Sequence, residues 1–390
     1  MPFLFASNQN ESDNRCDMDG KRLIEKIRLR NILSFGDKGE EITLEPLNII
    51  IGQNASGKSN LVDVIKLLKS LHQNNGLGNH VGKSGGVSEW MWKGGNTDYI
   101  AEIEIKVNWL LSQINYVIKF SEYSNRVGII EEEIVENSNK NKIIERYDYM
   151  NSEDSIFSPN QYGKGSYTGF AYTTILASIL EPLIYSDLQT NRKSRIRYPQ
   201  DISANDSFLE EDGSNLSLVL NDLEIRGETR EKIIENLKKF NPKIKSYAIK
   251  IIDVVVQLFI REEGLEKPIS AMRLSDGTLR YLCLLAILCH PEPPPLVCIE
   301  EPETGLHPDI LPTIAELMIE ASQRTQLIVT THSDILVSAF SEIPEAILVC
   351  EKDEDGTHFR RLEADKLKVW LEEYSLGEAW LRGAIGGTRW

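Results

Sequence analysis

The sequence predicts an α/β fold, with strands and helices alternating around a largely parallel sheet. The last third of the chain gives the clearest indication, because helix-like and strand-like segments follow one another there without interruption. A second indication is the apolar stretch 47–51, which leads through a glycine into a helix-like stretch at 60–71. The segments predicted in the last third are helices at 279–288 and 309–321 and strands at 296–299, 326–330 and 346–350.

The rest of the chain predicts a second sheet and further helices. Four stretches of alternating apolar residues predict antiparallel strands at 99–107, 114–120, 127–134 and 143–149. The sequence contains no internal repeat and no sustained heptad pattern, so no long coiled coil is expected. The other predicted elements are strands at 23–29, 41–44, 248–252 and 254–261, helices at 172–188 and 216–240, and a Gly-, Asn- and Ser-rich loop at 74–97.

These elements divide the chain into four parts. Residues 1–20 are polar and aperiodic and predict a flexible tail. Residues 21–170 form a β-rich N-terminal lobe, and residues 171–280 form a helical lobe. Residues 281–390 form a C-terminal α/β lobe.

Composition limits the functions that the chain can have. Its 390 residues are 41% hydrophobic and 26% charged, which is enough to bury a core. The net charge of −16 excludes a basic coat that holds DNA along the whole surface. One local basic cluster remains, either a solvated loop or a contact with nucleic acid phosphates or an acidic partner. It consists of Arg192, Lys193, Arg195 and Arg197.

Cysteine usage and the lack of targeting signals predict a cytoplasmic protein. None of the five cysteines forms a C-x-x-C pair, and three lie in apolar runs, so we expect reduced, buried thiols. Residues 1–6 are too short for a signal peptide and have no positive flank. The longest apolar runs, such as 281–288, are too short to span a bilayer, so no membrane contact is expected.

The first motif with chemical content is GQNASGKS at 52–59, which matches G-x-x-x-x-G-K-[ST] between a strand and a helix. Such a loop points its backbone N–H groups at phosphate oxygens, and the helix adds its positive end. We expect Lys58 to reach the β- and γ-phosphates and Ser59 to bind Mg²⁺ through its hydroxyl. The alternative is a simple Gly/Ser turn. The predicted cofactor-binding residues are Asn54, Ala55, Ser56, Gly57, Lys58, Ser59 and Asn60.

The second motif is LVCIEEP at 296–302, an apolar strand that ends in two acids. Ligands of α/β sheets bind at this end of the strands. Side chains alternate along a strand, so neighbouring acids point in different directions. We expect Glu300 to bind the metal and Glu301 to act as general base on the attacking water. The alternative is a solvated loop edge.

The third motif is RLSDGT at 273–278, at the start of a predicted helix. Ser275 can cap this helix, and the N–H groups at the helix start can bind an anion. The alternative is a helix cap without further function. The position favours function, because a single helix separates this motif from the acid pair.

The fourth motif is TTHS at 330–333, directly after an apolar strand. A histidine after a strand can be purely structural. Here His332 follows the next strand end after the acid pair, so it can face the same γ-phosphate.

Together the four motifs resemble the head of ATP-binding cassette (ABC) ATPases, and specifically its RecF-like and SMC-like branch. The strings IRLRNILSFG, GQNASGKSNLVDVI, RLSDGTLRYL, CIEEPETGLHP and LIVTTHSDIL are most similar to stand-alone AAA-type ATPases related to the OLD (overcoming lysogenization defect) family. The resemblance extends from residue 21 to residue 390. It implies an ABC-type P-loop ATPase head with a β-rich N-terminal lobe, a helical lobe that carries the signature motif, and a C-terminal α/β lobe.

The resemblance also implies roles for individual residues. Ser275, Asp276 and Gly277 match the signature motif, which contacts ATP across a dimer. Residues 303–307 match the D-loop, and His332 matches the switch histidine. The implied protein is an ATPase that uses ATP and Mg²⁺ and forms a homodimer through ATP.

Three departures from the family pattern affect these expectations. The metal ligand is Glu300 rather than the commoner Asp, which lengthens the arm by one methylene. No Q-loop glutamine is evident. Ser178 is the nearest polar candidate, and Gln161 and Gln189 match less well, which leaves open slow hydrolysis or an element donated by a partner. OLD nucleases carry a TOPRIM nuclease domain after the ATPase, but the 40 residues after Cys350 are too few for one. The acidic stretch 351–356 is better explained as a hairpin turn than as a metal site.

The biological role implied is that of a regulatory or motor subunit in a bacterial defence or DNA-processing complex, with a separate nuclease or toxin partner. The alternative is a RecF-like DNA repair clamp that acts without a nuclease. The signature wording L-S-D-G-T disfavours a transporter subunit. Trp370, Trp380 and Trp390 are expected to be core or docking anchors, or else part of a partner interface.

Overall fold

A computed structural model describes residues 22–94, 100–109, 112–137, 142–152, 183–203, 205–225 and 229–387. The predicted tail at 1–20 lies outside this range, as do Cys16, Gln161, Ser178 and Trp390.

The first part of the chain forms the predicted antiparallel sheet. Among the described residues, six strands pair in the order β2-β1-β4-β5-β6-β7. Every neighbouring pair in this sheet is antiparallel. The strands of this part are β1 (Ile24–Arg30), β2 (Glu40–Thr43), β3 (Leu47–Gly52), β4 (Ile100–Trp109), β5 (Ser112–Tyr123), β6 (Arg126–Asn137) and β7 (Lys142–Ser152).

Three helices follow β3. They are α1 (Lys58–Ser70), α2 (Gly76–Lys83) and α3 (Val87–Trp90). Helix α1 buries the apolar residues at 61, 64, 65 and 68, as its periodicity predicts. The predicted loop at 74–97 is wrong, because α2 and α3 lie within it. Leu77 and Val81 are four residues apart on α2 and both are buried, so packing overrides the low helix propensity of Gly and Asn there.

The middle part contains a small mixed lobe. Strand β11 pairs with β9, β10 and β12 in antiparallel fashion. Helix α6 begins at the signature motif and is buried along most of its length. The elements are β8 (Leu183–Tyr185), β9 (Gln200–Asp201), α4 (Leu216–Ile225), α5 (Thr229–Phe240), β10 (Ile244–Ile252), β11 (Val255–Glu262), β12 (Ile269–Ser270) and α6 (Asp276–Leu288).

The last part supplies strands and helices in alternation. The hairpin between β15 and β16 confirms the turn predicted near residue 354. The elements are β13 (Leu296–Glu300), α7 (Leu311–Ala321), β14 (Gln326–Thr330), α8 (Asp334–Ser338), β15 (Ile347–Asp353), β16 (Gly356–Arg361), α9 (Ala364–Leu371) and α10 (Leu376–Leu381).

A second sheet is the centre of the molecule. Its order within the described chain is β16-β15-β3-β14-β13-β8. Strands β15, β3, β14, β13 and β8 are parallel to their neighbours, and β16 is antiparallel to β15. The prediction that residues 172–188 are helical is wrong at 183–185, which form β8. A short apolar run of this kind fits a buried parallel strand as well as a helix, and pairing with β13 decides the outcome.

The parallel sheet is buried on both faces. Along β3, Ile49 and Ile51 pack into a core that contains α6 and α7, whereas Ile50 packs into a core that contains α1 and β4. Gln326 joins the two sheets, because its Oε1 accepts a hydrogen bond from Ile24 N at 2.8 Å and its Nε2 donates to Ile24 O at 2.8 Å. The parallel sheet therefore fixes the antiparallel sheet and also the loop at 52–59, which is named the phosphate-binding loop after its motif.

Two tryptophans of the final helices differ in environment. Trp380 on α10 is 1% exposed, and its Nε1 donates to the Gly387 carbonyl at 2.5 Å. Trp370 on α9 is 40% exposed. Trp380 is therefore a core residue, and Trp370 remains available as a surface residue.

The parallel sheet takes strands from each of the three predicted lobes, and the lobe boundaries stay a prediction. Within the part of the chain that the structure describes, no helix has the length and apolar character needed to cross a membrane.

Candidate functional site

The predicted site residues converge at one edge of the parallel sheet. Strands β3, β14 and β13 are neighbours and run in the same direction, so their carboxyl ends lie side by side. In the register, Glu300 is opposite Thr330, and Thr330 is opposite Ile50. The phosphate-binding loop, the acid pair and His332 therefore begin at the same edge, as predicted.

The phosphate-binding loop has a backbone that requires glycine at two positions. Gly57 has a φ of 112°, and a Cβ atom there would lie 2.7 Å from the Ser34 Oγ and overlap Thr357. Gly52 has a φ of 155°, and a Cβ atom there would overlap the Cys350 carbonyl. Neighbouring strands thus press closely on the loop and fix its shape.

Lys58 lies inside the loop. Its ammonium donates to the carbonyls of Gly52 at 2.8 Å and Gln53 at 2.7 Å. Burial lowers the pKa of Lys58, and the charge of Glu301 partly opposes this shift. The Ser56 hydroxyl is buried and has no hydrogen-bond partner among the described residues. A buried ammonium and an unpartnered hydroxyl beside the exposed loop residues 53–55 fit a phosphate group.

The two residues after Lys58 differ in what they contact. Ser59 is exposed at the start of α1, where a hydroxyl can reach a metal ion. The Asn60 amide nitrogen donates to the Ser34 Oγ at 2.6 Å, so that part of its side chain is already engaged.

Glu300 ends β13 with its carboxylate turned toward α1. Its side chain is 14% exposed, and its Oε1 lies 3.3 Å from the Lys66 ammonium. Burial tends to lower the pKa of Lys66, but Asp63 and Glu300 outweigh that effect and raise it. Lys66 could not be predicted as a site residue, because it is one of several lysines on α1 and its acidic partner Glu300 is far along the chain.

Glu301 follows in a left-handed conformation with a φ of 46°. Its N–H donates to the Thr330 carbonyl at 2.9 Å, and its side chain is 54% exposed. Its Oε1 lies 3.9 Å from the His332 Nε2. The two acids differ in environment, as predicted, but strand alternation is not the reason, because β13 ends at Glu300 and the left-handed backbone of Glu301 sets the direction of its exposed carboxylate.

Glu303 is a site residue whose role the sequence did not reveal. Its Oε1 accepts hydrogen bonds from the Thr331 Oγ1 at 2.7 Å and from the His332 N–H at 2.8 Å. Burial raises the pKa of Glu303, although these hydrogen bonds partly offset the shift. Glu303 thus fixes the backbone that carries His332. Its position in the predicted D-loop was visible in the sequence, but its burial was not.

The signature motif caps α6 as predicted. The Ser275 Oγ accepts from the Thr278 N–H at 3.1 Å. A Cβ atom at Gly277 would lie 2.9 Å from the Gly305 carbonyl, so this glycine allows the D-loop to approach. Ser275 and Asp276 are exposed. No hydrogen bond in the described ranges joins Ser275, Asp276 or Gly277 to the phosphate-binding loop.

Arg197 belongs to the signature region and not to a surface patch. It is 4% exposed, and its NH1 donates to the Leu274 carbonyl at 2.7 Å and the Ala271 carbonyl at 3.3 Å. Its NH2 donates to the Asp276 carboxylate. The prediction that Arg197 contacts nucleic acid is therefore wrong, because burial and these bonds occupy its guanidinium. The other three cations of the cluster, Arg192, Lys193 and Arg195, are exposed.

The strand end next to the acid pair carries Ser186 and Asp187. Both residues are exposed and follow β8, which pairs with β13 in parallel. Arg280 lies between this strand end and the acid pair, since its NH2 donates to the Glu301 carbonyl at 3.2 Å. Burial lowers the pKa of Arg280 despite the nearby charge of Asp187. Gln189, a predicted Q-loop candidate, is exposed two residues further on, and its N–H donates to the Asp212 carbonyl.

One known protein family matches most of the chain. A family model described as "AAA domain, putative AbiEii toxin, Type IV TA system" matches residues 47–338. The chain belongs to this AAA family. The match spans all four motifs of the AAA domain, from the phosphate-binding loop to His332. No curated protein matches the chain.

Solved structures of Smc head domains share the fold of this AAA domain. A structure of the Smc head bound to the C-winged helix domain of ScpA is 16% identical, with a TM-score of 0.60, and the match covers 88% of this chain and 99% of that one. The Smc head domain with an extended coiled coil from Pyrococcus furiosus is 14% identical, with a TM-score of 0.58 and coverage of 90% and 99%. The Smc head from Pyrococcus yayanosii is 13% identical, with a TM-score of 0.51 and coverage of 90% and 99%.

These comparisons confirm the predicted fold class and the general family. The AAA domain has the α/β architecture of an SMC-type ABC ATPase head, and at the level of the family it is an ATPase domain. The closer relation to OLD proteins stays a prediction, as do the roles of the individual site residues.

Proposed function

We propose that this AAA-domain protein binds ATP with Mg²⁺ and hydrolyses it. The observation that carries the proposal is the convergence of Lys58, Glu301 and His332 at one edge of the parallel sheet. Lys58 is buried within the loop, and the carboxylate of Glu301 faces the open side. A cationic phosphate site beside an exposed carboxylate is the arrangement that γ-phosphate hydrolysis requires.

Each residue has a defined task in this proposal. Lys58 would exchange its two carbonyl partners for the β- and γ-phosphates. Ser59 and Glu300 would hold Mg²⁺, which would supply positive charge against the phosphates. Glu300 would have to give up its ion pair with Lys66 to do so. Glu301 would accept the proton of the attacking water, with His332 next to its carboxylate.

The signature motif supports action in a dimer. Ser275 and Asp276 are exposed at the start of a capped helix and lack hydrogen bonds to the phosphate-binding loop of their own chain in the described residues. In a C₂ dimer, each signature would close the nucleotide site of the other chain. ATP would then hold the dimer together, and hydrolysis would release it.

The biological role that we propose is a regulatory or motor subunit in a bacterial defence or DNA-processing complex. The family description, with its toxin–antitoxin wording, supports a role in a toxin–antitoxin system. The separate toxin or nuclease subunit is part of our proposal. The ScpA-bound Smc head shows that a fold of this kind can carry a partner domain. The exposed cations at 192, 193 and 195 keep the RecF-like clamp as the second candidate, because they can contact DNA phosphates.

The test is an ATPase assay of the purified chain with Mg²⁺ and with EDTA. We expect Mg²⁺-dependent hydrolysis that falls by about 10²–10⁴ in Glu301→Gln, while ATP binding persists. Glu354→Gln is the matched control, since Glu354 is exposed in the turn between β15 and β16. Hydrolysis at the wild-type rate in Glu301→Gln would remove Glu301 from its role. Absence of ATP binding in the wild-type chain would contradict the function itself.

A further inference from the structure

The segment after α10 reaches the phosphate-binding loop. The Gly383 N–H donates to the Trp380 carbonyl at 2.9 Å and the Ala384 N–H to the Ala379 carbonyl at 2.9 Å, which ends the helix. The chain then runs to Gly387, which lies beside Gly52, the first residue of the loop. We call residues 383–387 the strap.

Three hydrogen bonds hold the strap in place, two of them to the hairpin of β15 and β16 and one to α10. The Gly387 N–H donates to the Glu351 Oε1 at 2.9 Å, and the Arg360 NH2 donates to the Ile385 carbonyl at 2.8 Å. The third is the bond from the Trp380 indole to the Gly387 carbonyl. The strap thus connects α10 with both strands of the hairpin.

The contact at Gly387 leaves no room for a side chain. Its φ is 58°, in the left-handed region, and a Cβ atom there would lie 2.8 Å from the Val349 Cγ1. The same Cβ atom would lie 3.4 Å from the Gly52 Cα. Gly386 has a φ of 77°, and a Cβ atom there would lie 2.8 Å from the Glu351 Oε1. The two glycines permit the close approach.

The hairpin of β15 and β16, which the strap contacts, in turn contacts the phosphate-binding loop. The Thr357 Oγ1 donates to the Ser56 carbonyl at 2.7 Å, and the Cys350 thiol lies 3.5 Å from the same oxygen. Gly387 also lines a cavity of about 530 Å³ together with residues 53–56 and 350–353. The strap therefore contacts the loop directly at Gly52. It reaches Ser56 indirectly, through the hairpin that contacts both.

We propose that the strap is a positioning element of the nucleotide site, with Gly387 as its key positioning residue. The inference rests on the proposed function, because it concerns the affinity of the same loop for nucleotide. The loop contains Ala55 at a φ of 62°, and such strained residues persist only where their surroundings hold them. By bracing the hairpin, the strap keeps the loop ordered before nucleotide arrives and so lowers the entropic cost of binding.

The experiment compares Gly387→Ala with Gly264→Ala. Gly264 has a φ of 78°, and nothing lies within 4 Å of the position of its Cβ atom, so this control reproduces the backbone strain without the contact. The first readout is hydrogen–deuterium exchange of residues 52–58 in nucleotide-free protein. The second is the Kd for a slowly hydrolysed ATP analogue, measured by calorimetry.

We expect Gly387→Ala to exchange faster at 52–58 and to raise the Kd by about tenfold, since a Cβ atom at this position overlaps the Val349 Cγ1 and forces the strap away from the hairpin. The kcat at saturating ATP should change less than KM, and Gly264→Ala should resemble wild type in each measurement. Trp380→Phe, which removes the indole hydrogen bond to Gly387 together with part of a buried ring, should shift both readouts in the same direction. This variant keeps the test informative if Gly387→Ala folds poorly.

Unchanged exchange and unchanged Kd in both strap variants would overturn the proposal. Faster exchange without a change in Kd would also overturn it, because the loop would then bind equally well without bracing. Lys58→Ala separates this failure from failure of the proposed function. If wild type and Lys58→Ala both fail to bind the analogue, the nucleotide function is wrong, and the strap proposal falls with it.

Discussion

The His332 Nε2 lies 3.9 Å from the Glu301 Oε1, although the two residues leave different strands of the parallel sheet. Two backbone features produce this closeness. Glu301 is turned outward by its left-handed conformation, and the His332 N–H is held by the Glu303 carboxylate. On the proposed function, this pair is where an attacking water and the γ-phosphate would meet.

His332→Ala should lower kcat for ATP hydrolysis by about tenfold to a hundredfold and leave KM nearly unchanged, because the imidazole acts beside the reacting group rather than on the adenosine. Steady-state kinetics at fixed pH measures both constants. His307→Ala is the control, since His307 has a side chain 73% exposed in the D-loop region. A variant at His332 that loses affinity for ATP but keeps kcat would contradict this assignment.

Lys58→Ala and Ser275→Arg should fail for different reasons. Loss of Lys58 removes a charge from the phosphate site of the same chain, so ATP binding falls. Arginine at Ser275 places bulk at the exposed signature, so binding survives while ATP-driven dimerisation and hydrolysis fail. Equal mixing of the two variants should restore about a quarter of wild-type activity, because half of the dimers would have one intact site. If no activity returns in samples where heterodimers are detected, the trans arrangement is wrong.

Arg197→Met should destabilise the signature region. The substitution leaves the Ala271 and Leu274 carbonyls without their donor, which costs about 2 kcal/mol of unfolding free energy. It also frees Asp276, so ATPase activity should fall more than ATP binding does. Arg195→Met is the control, because Arg195 is exposed. Urea denaturation and the ATPase assay measure the two effects, and equal stability of the two variants would contradict the structural role of Arg197.

Glu303 predicts a pH dependence of stability. Burial raises the pKa of its carboxyl above the ordinary value of 4.5, so the folded state binds more protons than the unfolded state just above that pH. The contribution of Glu303 to stability is thus fully present below 4.5 and is lost as pH rises through the raised pKa. Relative to Glu303→Gln, wild type should become less stable across this window. Denaturation curves at several pH values test this, and a difference that grows with pH in favour of wild type would contradict it.

The sequence predicts elements well where periodicity is strong. The stripe on α1 and the alternation in β4–β6 are examples, because each pattern spans many residues and points to one face. It fails where a contact distant in sequence decides the structure. Helix α2 forms despite its glycines because Leu77 and Val81 find a core, and β8 forms because β13 is available as a partner.

The candidate site divides in the same way. Lys58, Glu301 and His332 could be found from the sequence because each lies in a short motif directly after a strand. Arg197 could not be told from its exposed neighbours, since a run of cations looks the same whether one member is buried or not. The strap could not be predicted either, because the glycines at 386 and 387 do not indicate which loop they approach.

The strand order of the parallel sheet determines how late in synthesis the sheet can be completed. Strand β3 ends at residue 52, but its two partners, β14 and β15, begin at residues 326 and 347. A ribosome adds about 5–20 residues per second, so β3 remains without either partner strand for roughly ten seconds or more after it is synthesised. A nascent or truncated chain that ends before residue 326 therefore lacks the completed sheet edge. On the proposed function, only chains whose synthesis has passed residue 326 would have the sheet edge at which nucleotide binds.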